Sequence, residues 1–346
     1  MQVDNFKEQM NKSLLMWLLA IVVVLALVSC KKSEEETTTL PYMSGYVEYS
    51  IPSYVMVNET YTMTASGIVK PVDPIYKWHI PSLFGDTLTT NTISITFPDS
   101  LASYTITAIA SKSGYYNSSN ARLITTVDTT RGASLTGLIY GNSSFTDVRD
   151  GQKYITTKVG NLEWFAQNLA WSGAGVAYKW SSATHSLFGR YYYWNEATGG
   201  VSASGLGAGP QGVCPKGWSI PTNEDWEDLG KALNGNKAVS FMDNWAGLGE
   251  KVTVDAYFNG ERMWPYSPDN ANKNMFGWNA LPTGNTQFGN TLFKGMNEYA
   301  FWWSAAEKND KQAYFRYIYY DQSSFPMNFT AKDDFGASVR CVRLIK

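Results

Sequence analysis

The residues able to do chemistry in this chain are few and far apart. Three cysteines, Cys30, Cys214 and Cys341, and two histidines, His79 and His185, are spread over 346 residues. A tetrahedral metal site needs further nitrogen or sulfur ligands beside a cysteine pair, and no stretch supplies them. A cysteine nucleophile needs a base, and only His185 lies in the same half as Cys214 and Cys341. His79 sits between Trp78, Ile80 and Pro81, with no second ligand nearby, and reads as a strand or loop residue. The one dense group of carboxylates is Glu224, Asp225, Glu227 and Asp228. It could be an acid/base cluster or a calcium site, but its positions already have a structural use. Thr222 is a natural N-cap, Asp225 is its capping-box partner, and negative charge belongs in the first turns of a helix. Trp226, Leu229 and Leu233 then give that helix a buried face, and Gly235 closes it. No catalytic residue, metal or cofactor is expected.

The compartment decides what the cysteines do. Residues 14–27, LLMWLLAIVVVLAL, form an apolar run too short for a comfortable membrane span and placed where a secretory segment belongs. It ends in LVSC, residues 27–30, which resembles a bacterial lipobox, so Cys30 is expected to carry the lipid and to become the mature N-terminus. Met10 is an alternative start. The following KKSEEETTTL has nothing to bury and reads as a solvated tether; its run Glu34, Glu35, Glu36 resembles a surface-export signal of Bacteroidetes lipoproteins. In such an oxidising setting, Cys214 and Cys341 most economically form a disulfide. The net charge of −2 and the lack of a basic block argue against nucleic acid as a partner.

The elements divide the chain as 1–29 signal peptide, 30–44 lipidated tether, 45–128 β-sandwich, 129–141 linker and 142–346 second domain. Period-two alternation in YVMVNETYTMTA, IYKWHI, TISITF, YTITAIAS and ARLITTV predicts strands. Trp78 in a middle strand, and Tyr104 opening a later one, resemble the core tryptophan and tyrosine corner of immunoglobulin-like or PKD-like modules. Beyond residue 137 the composition shifts: eleven of the thirteen tryptophans lie there.

Two aromatic regions of the second domain could hold a ligand. Residues 259–278, NGERMWPYSPDNANKNMFGW, read as a long loop. Trp264 and Tyr266 could stack on a sugar ring while Asp269 and Asn270 bond its hydroxyls, or the aromatics could instead pin the loop to its own domain. In AYFRYIYY both strand faces are bulky, so a covered central strand is expected, with Arg316 paired internally.

The motifs GNLEWFAQNLAW, GRYYYWNEATGG, GVCPKGWSIPTNEDWEDL, FGWNALPTGN, EYAFWWSAAE, AYFRYIYY and FGASVRCVRL, from about residue 151 to 343, resemble the Fibrobacter succinogenes major paralogous (FISUMP) domain. That family's pattern in turn resembles C-type lectin-like folds and formylglycine-generating enzymes. The resemblance implies an α+β domain with short helices, a twisted antiparallel sheet, neighbouring termini and a long irregular loop region. The expected fold class is thus a mainly β immunoglobulin-like sandwich followed by an α+β C-type lectin-like domain. SPDN at 267–270 and WNA at 278–280 do not complete a lectin calcium site, and the cysteine count leaves no redox-active pair.

Together these features imply an outer-membrane lipoprotein facing the cell exterior, with a non-catalytic head that binds a glycan, peptide or protein. A TonB-dependent nutrient importer is an expected neighbour. The alternatives are a structural or adhesive subunit of a surface assembly and, further off, a formylglycine-generating-type enzyme.

Overall fold

The computed structural model describes residues 39–130, 133–141 and 143–345. Cys30, the apolar run, Glu34–Glu36 and most of the tether lie outside them. The fold is mainly β. No helix among the described residues is long and apolar enough to cross a membrane. The chain divides into one small unit, 1–42 with 113–116, and one large unit, 43–112 with 117–346. Within the first, the Tyr116 N–H donates to the Pro41 carbonyl at 3.0 Å and the Tyr42 and Tyr116 rings lie 5.0 Å apart.

The large unit opens with the alternating segments. Tyr54–Met56, Ser118–Val127, Ser103–Ser111, Ile75–His79 and Leu88–Thr89 form one sheet in that order, with its first pair parallel. Two ribbons accompany it: Thr60–Thr64 with Thr92–Thr96, and Ser44–Glu48 with Ser66–Lys70. In Ser103–Ser111 every second side chain, Tyr104, Ile106, Ala108 and Ala110, is buried, as a half-buried strand requires. They meet Trp78, Val55, Met63, Ile93, Ile95 and Phe97 in one core. The two strands flanking Asn58-Glu59 both form but enter different sheets, because Asn58 takes a left-handed φ of 61° that redirects the chain. The Tyr104 hydroxyl reaches back to the Ser100 hydroxyl at 3.2 Å.

The following segment is structured. Leu135–Thr136 pairs with Tyr257–Phe258, and Leu135 and Leu138 are buried beside Val127, Ile155, Ala166 and Phe188. Tyr54 and Met56 pack on the same cluster. Ser181 Oγ donates to the Tyr54 carbonyl at 2.5 Å, and Asn259 Nδ2 to the Thr126 carbonyl at 2.9 Å. Apolar burial and hydrogen bonds therefore join the alternating region to the tryptophan-rich region.

In the remainder, Ser143–Thr146, Lys153–Val159, Leu162–Phe165 and Val342–Leu344 form an antiparallel sheet, so the last strand closes against the first hairpin. A six-stranded sheet runs Leu292–Met296, Thr283–Gln287, Tyr299–Asn309, Gln312–Tyr319, Met327–Ala331, with Phe335–Gly336 added beside Thr283–Gln287. Gln312–Tyr319 is central, as its two bulky faces predicted. Consecutive Trp302 and Trp303 point to opposite faces and enter separate cores.

Candidate ligand-binding surfaces

The sulfur chemistry is settled by geometry. Cys214 and Cys341 are bonded to each other, with Cα atoms 5.8 Å apart and both side chains fully buried. The Ser219 and Val342 backbones exchange hydrogen bonds of 2.9 Å beside them. Neither sulfur is free as a thiolate.

The helix Asn223–Leu233 carries the predicted cap: Thr222 and Asp225 make the reciprocal box, and Trp226, Leu229 and Leu233 are buried. All four carboxylates accept backbone N–H groups of neighbouring segments. Glu224 takes Gly205 at 2.9 Å, Asp225 takes Gly207 at 2.6 Å, Glu227 takes Phe241 at 2.7 Å and Asp228 takes Asn161 at 2.6 Å. The helix is a hanger for loops. Burial pushes the Asp225 carboxyl up to about 6, against the hydrogen bonds from Gly207 and Thr222. Among the described residues no group of three or more His, Cys, Asp or Glu is placed to hold a metal ion. His79 is an exposed strand residue. His185 has a buried Nδ1 without a partner, and burial, with Arg190 nearby, pulls its pKa below the ordinary value.

Residues 259–278 are a loop held from below. Lys273 donates from its backbone to the Glu250 carbonyl at 2.7 Å and pairs with the Glu250 carboxylate at 2.5 Å. Asn274 and Asn279 bond each other twice, at 2.7 and 2.9 Å. This anchoring uses two of the four residues expected to meet a ligand. Trp264 is 1 % exposed and its Nε1 donates to the Ala280 carbonyl at 2.9 Å. A ring sunk in the core has no face for a sugar, so the stacking role does not belong to Trp264. Asn270 is buried too, its Oδ1 accepting from Thr253 Oγ1 at 2.9 Å. Tyr266, 78 % exposed, and Asp269, also exposed, do face outward.

Arg316 is internal, as expected of a central strand, but its partners are carbonyls of Phe325, Phe241 and Asp243, and it lies on the Trp245 ring. Burial lowers its pKa, with Asp243 and Glu227 opposing. A second guanidinium, Arg340, is fully buried. It donates to Asn168 Oδ1 at 2.8 Å and to the Phe165, Trp278 and Asn279 carbonyls at 3.0, 2.7 and 2.9 Å. Sequence reasoning singled out neither Arg340 nor the surface around Trp180.

Trp180 is the only exposed tryptophan among the described residues, at 61 %. It follows Lys179 in a pair of left-handed backbones, φ 50° and 55°, each costing an ordinary residue about 1–2 kcal/mol. Its ring leans edge-on against Phe293 at 4.9 Å, which in turn meets Tyr178 at 5.5 Å. Backbone strain of this kind is enriched at functional sites, and Phe288, 61 % exposed at φ 51°, shares both features. No local pattern announces it: Trp180 sits in AYKWSS, without Gly or Asn to signal positive φ. A cavity of about 470 Å³ opens elsewhere, between the segment around Thr129 and the strand holding Tyr154, with Gln152 and Ser186 in its wall; its size is that of a small-ligand site.

No curated protein matches the chain. The model of the Fibrobacter succinogenes major domain matches residues 157–343, more than half of the sequence and the span that holds the disulfide, the carboxylate-bearing helix and both buried guanidinium groups. The chain belongs to the Fibrobacter succinogenes major domain family.

Proposed function

We propose that this protein is a surface-exposed outer-membrane lipoprotein whose family domain is a non-catalytic head that binds a glycan, peptide or protein. One observation carries the binding role: Trp180 stands 61 % exposed on strained, pre-set backbone, while the other tryptophans of the described head are buried or half-buried. Rigid aromatic side chains offer large contact area at low entropic cost. Tyr266, on a loop pinned by Trp264 and the Asn274–Asn279 pair, is a second outward ring of the same kind.

The proposed head is C-type lectin-like and the proposed base immunoglobulin-like. The closing strand paired with the first hairpin, the linking disulfide and the long anchored loop support the former. Buried Trp78 and the Tyr104–Ser100 bond support the latter. Lipid attachment at Cys30 and a place beside a TonB-dependent importer belong to the same proposal and rest on the N-terminal sequence. Glycan arrays and pull-downs from intact cells test the binding role with the wild type, Trp180→Ala and Tyr266→Ala. Loss of the detected ligand in Trp180→Ala, at unchanged melting temperature, is expected. Affinity unaltered in both variants removes these residues from the site, and fixed-stoichiometry copurification without a soluble ligand favours a structural subunit.

A further inference from the structure

The strand pair Tyr299–Asn309 and Gln312–Tyr319 carries a ladder of directly opposed aromatic residues: Trp303 with Phe315, Phe301 with Tyr317, and Tyr299 with Tyr319. The first pair is buried in the core and the other two are half-buried, so the ladder runs from the interior to the surface. At its outer end the Tyr299 and Tyr319 rings stack at 4.4 Å, and Tyr320 stands edge-on to Tyr319 at 4.8 Å. The chain brings two carboxylates to the same end. Glu298 precedes Tyr299, Asp321 follows Tyr320, and the Tyr320 N–H donates to the Glu298 carbonyl at 2.9 Å.

Among the described residues, Glu298 and Asp321 make no ion pair, and Asp321 Oδ1 is buried without a hydrogen-bond partner. A shielded carboxylate oxygen normally finds a donor or a cation. Desolvation, then the charge of Glu298 and, after Tyr317, that of Asp321 raise the Tyr299 phenol above its ordinary pKa, so both acids lie within electrostatic reach of the rings. Electron-rich ring faces beside unpaired negative charge attract a cation. They repel an acidic sugar. Guanidinium and ammonium groups satisfy both features, stacking on the ring while donating to the exposed Glu298 carboxylate, with the shielded Asp321 adding its charge from below.

We propose that the outer end of this ladder, Tyr299, Tyr319 and Tyr320 with Glu298 and Asp321, is a docking site for an arginine or lysine side chain of a partner protein. The platform is distinct from the residues assigned above to the binding role, so it stands or falls separately from Trp180 and Tyr266.

The test uses the whole folded chain, immobilised, and three acetylated and amidated peptides identical except for two central residues: arginine, lysine or glutamine. The arginine and lysine peptides should bind, more weakly as salt rises, and the glutamine peptide should not. Glu298→Gln and Asp321→Asn preserve shape and are expected to weaken binding at least fivefold each. Tyr319→Ala should do the same, while Val148→Ala, at an exposed residue outside the platform, leaves peptide affinity unchanged. Melting curves of every variant confirm folding. The proposal is overturned by absent binding of both basic peptides, by equal binding of the glutamine peptide, or by carboxamide variants that bind like wild type. A glycan lost from the same variants, with peptides ignored, also overturns it.

Discussion

Trp78 and Trp302 are both buried tryptophans, in the alternating region and in the family domain respectively, and they are held differently. Around Trp78 the core is apolar, and the indole N–H has no partner. That region pairs side chains on its solvent face, where Thr60, Thr62 and Thr64 bond Thr96, Ser94 and Thr92 across the ribbon at 2.7, 2.7 and 2.9 Å, and within the core the Tyr49 hydroxyl donates to the Ile106 carbonyl at 2.6 Å. Around Trp302 the apolar core also encloses a hydrogen-bond network, although the indole N–H groups of Trp164, Trp226 and Trp278 in the same cluster have no partner. Trp302 Nε1 donates to Asn168 Oδ1 at 2.9 Å, the same oxygen that Arg340 uses, and Asn168 Nδ2 reaches the Phe188 carbonyl at 3.0 Å. One region is specified by period, the other by a buried hydrogen-bond network that joins distant loops. Such a network specifies one arrangement only when every member is satisfied, so the two regions should respond to damage to different degrees.

The largest effect is expected at the staple. Replacing Cys214 and Cys341 together by Ala releases a closure of 127 residues in sequence, and chain-entropy arguments put the loss at about 4–5 kcal/mol. Hydrogen exchange should show the loss across the family domain, with the strands around Trp78 keeping most of their protection. Protection lost equally in both regions would erase the distinction.

Removing the guanidinium comes next. Arg340→Met leaves three carbonyls without this donor and Asn168 Oδ1 with Trp302 alone, and should cost about 3–4 kcal/mol by denaturant unfolding. A loss under about 1 kcal/mol would mean that the network does not specify this core.

A third measurement uses pH. The folded chain holds the Asp225 proton up to about pH 6, whereas the ordinary value is 3.8. The unfolded chain therefore ionises first. Asp225 contributes stability that is full below about pH 4 and lost as pH rises through 6, a change of about 3 kcal/mol over two pH units. Asp225→Asn should flatten that part of the stability profile.

The smallest effect sharpens the comparison most directly. Trp302→Phe removes ring area and a buried hydrogen bond, whereas Trp78→Phe removes ring area alone. The former should be the more destabilising by about 1 kcal/mol. Equal costs would mean that the indole N–H of Trp302 is immaterial.

Legibility from sequence tracks the same divide. The strand around Tyr104 and the helix after Thr222 are set by signals a few residues long, alternation in one case and a capping box in the other, and both formed where those signals lie. The disulfide followed from compartment and cysteine count. For Trp264 the sequence left two readings open, ligand stacking and pinning of the loop, and Trp180 was not singled out, because each stands in a stretch without periodicity. Which ring enters the core depends on carbonyls and rings from remote segments, Ala280 for Trp264 and Phe293 for Trp180. Arg316 shows the same limit: its burial could be inferred from its strand, but the choice of carbonyls over a carboxylate depends on loops around Phe241 and Phe325.

The pairing of Val342–Leu344 with Leu162–Phe165 also sets an order of events. A polypeptide made from its N-terminus onward presents the earlier strand long before its partner. Contacts this remote in sequence form late, because a large loop must close first. The hydrogen-bonding edge of Leu162–Phe165 must therefore wait unpaired until residues near 342 arrive, and during that wait a chaperone has a defined segment to protect.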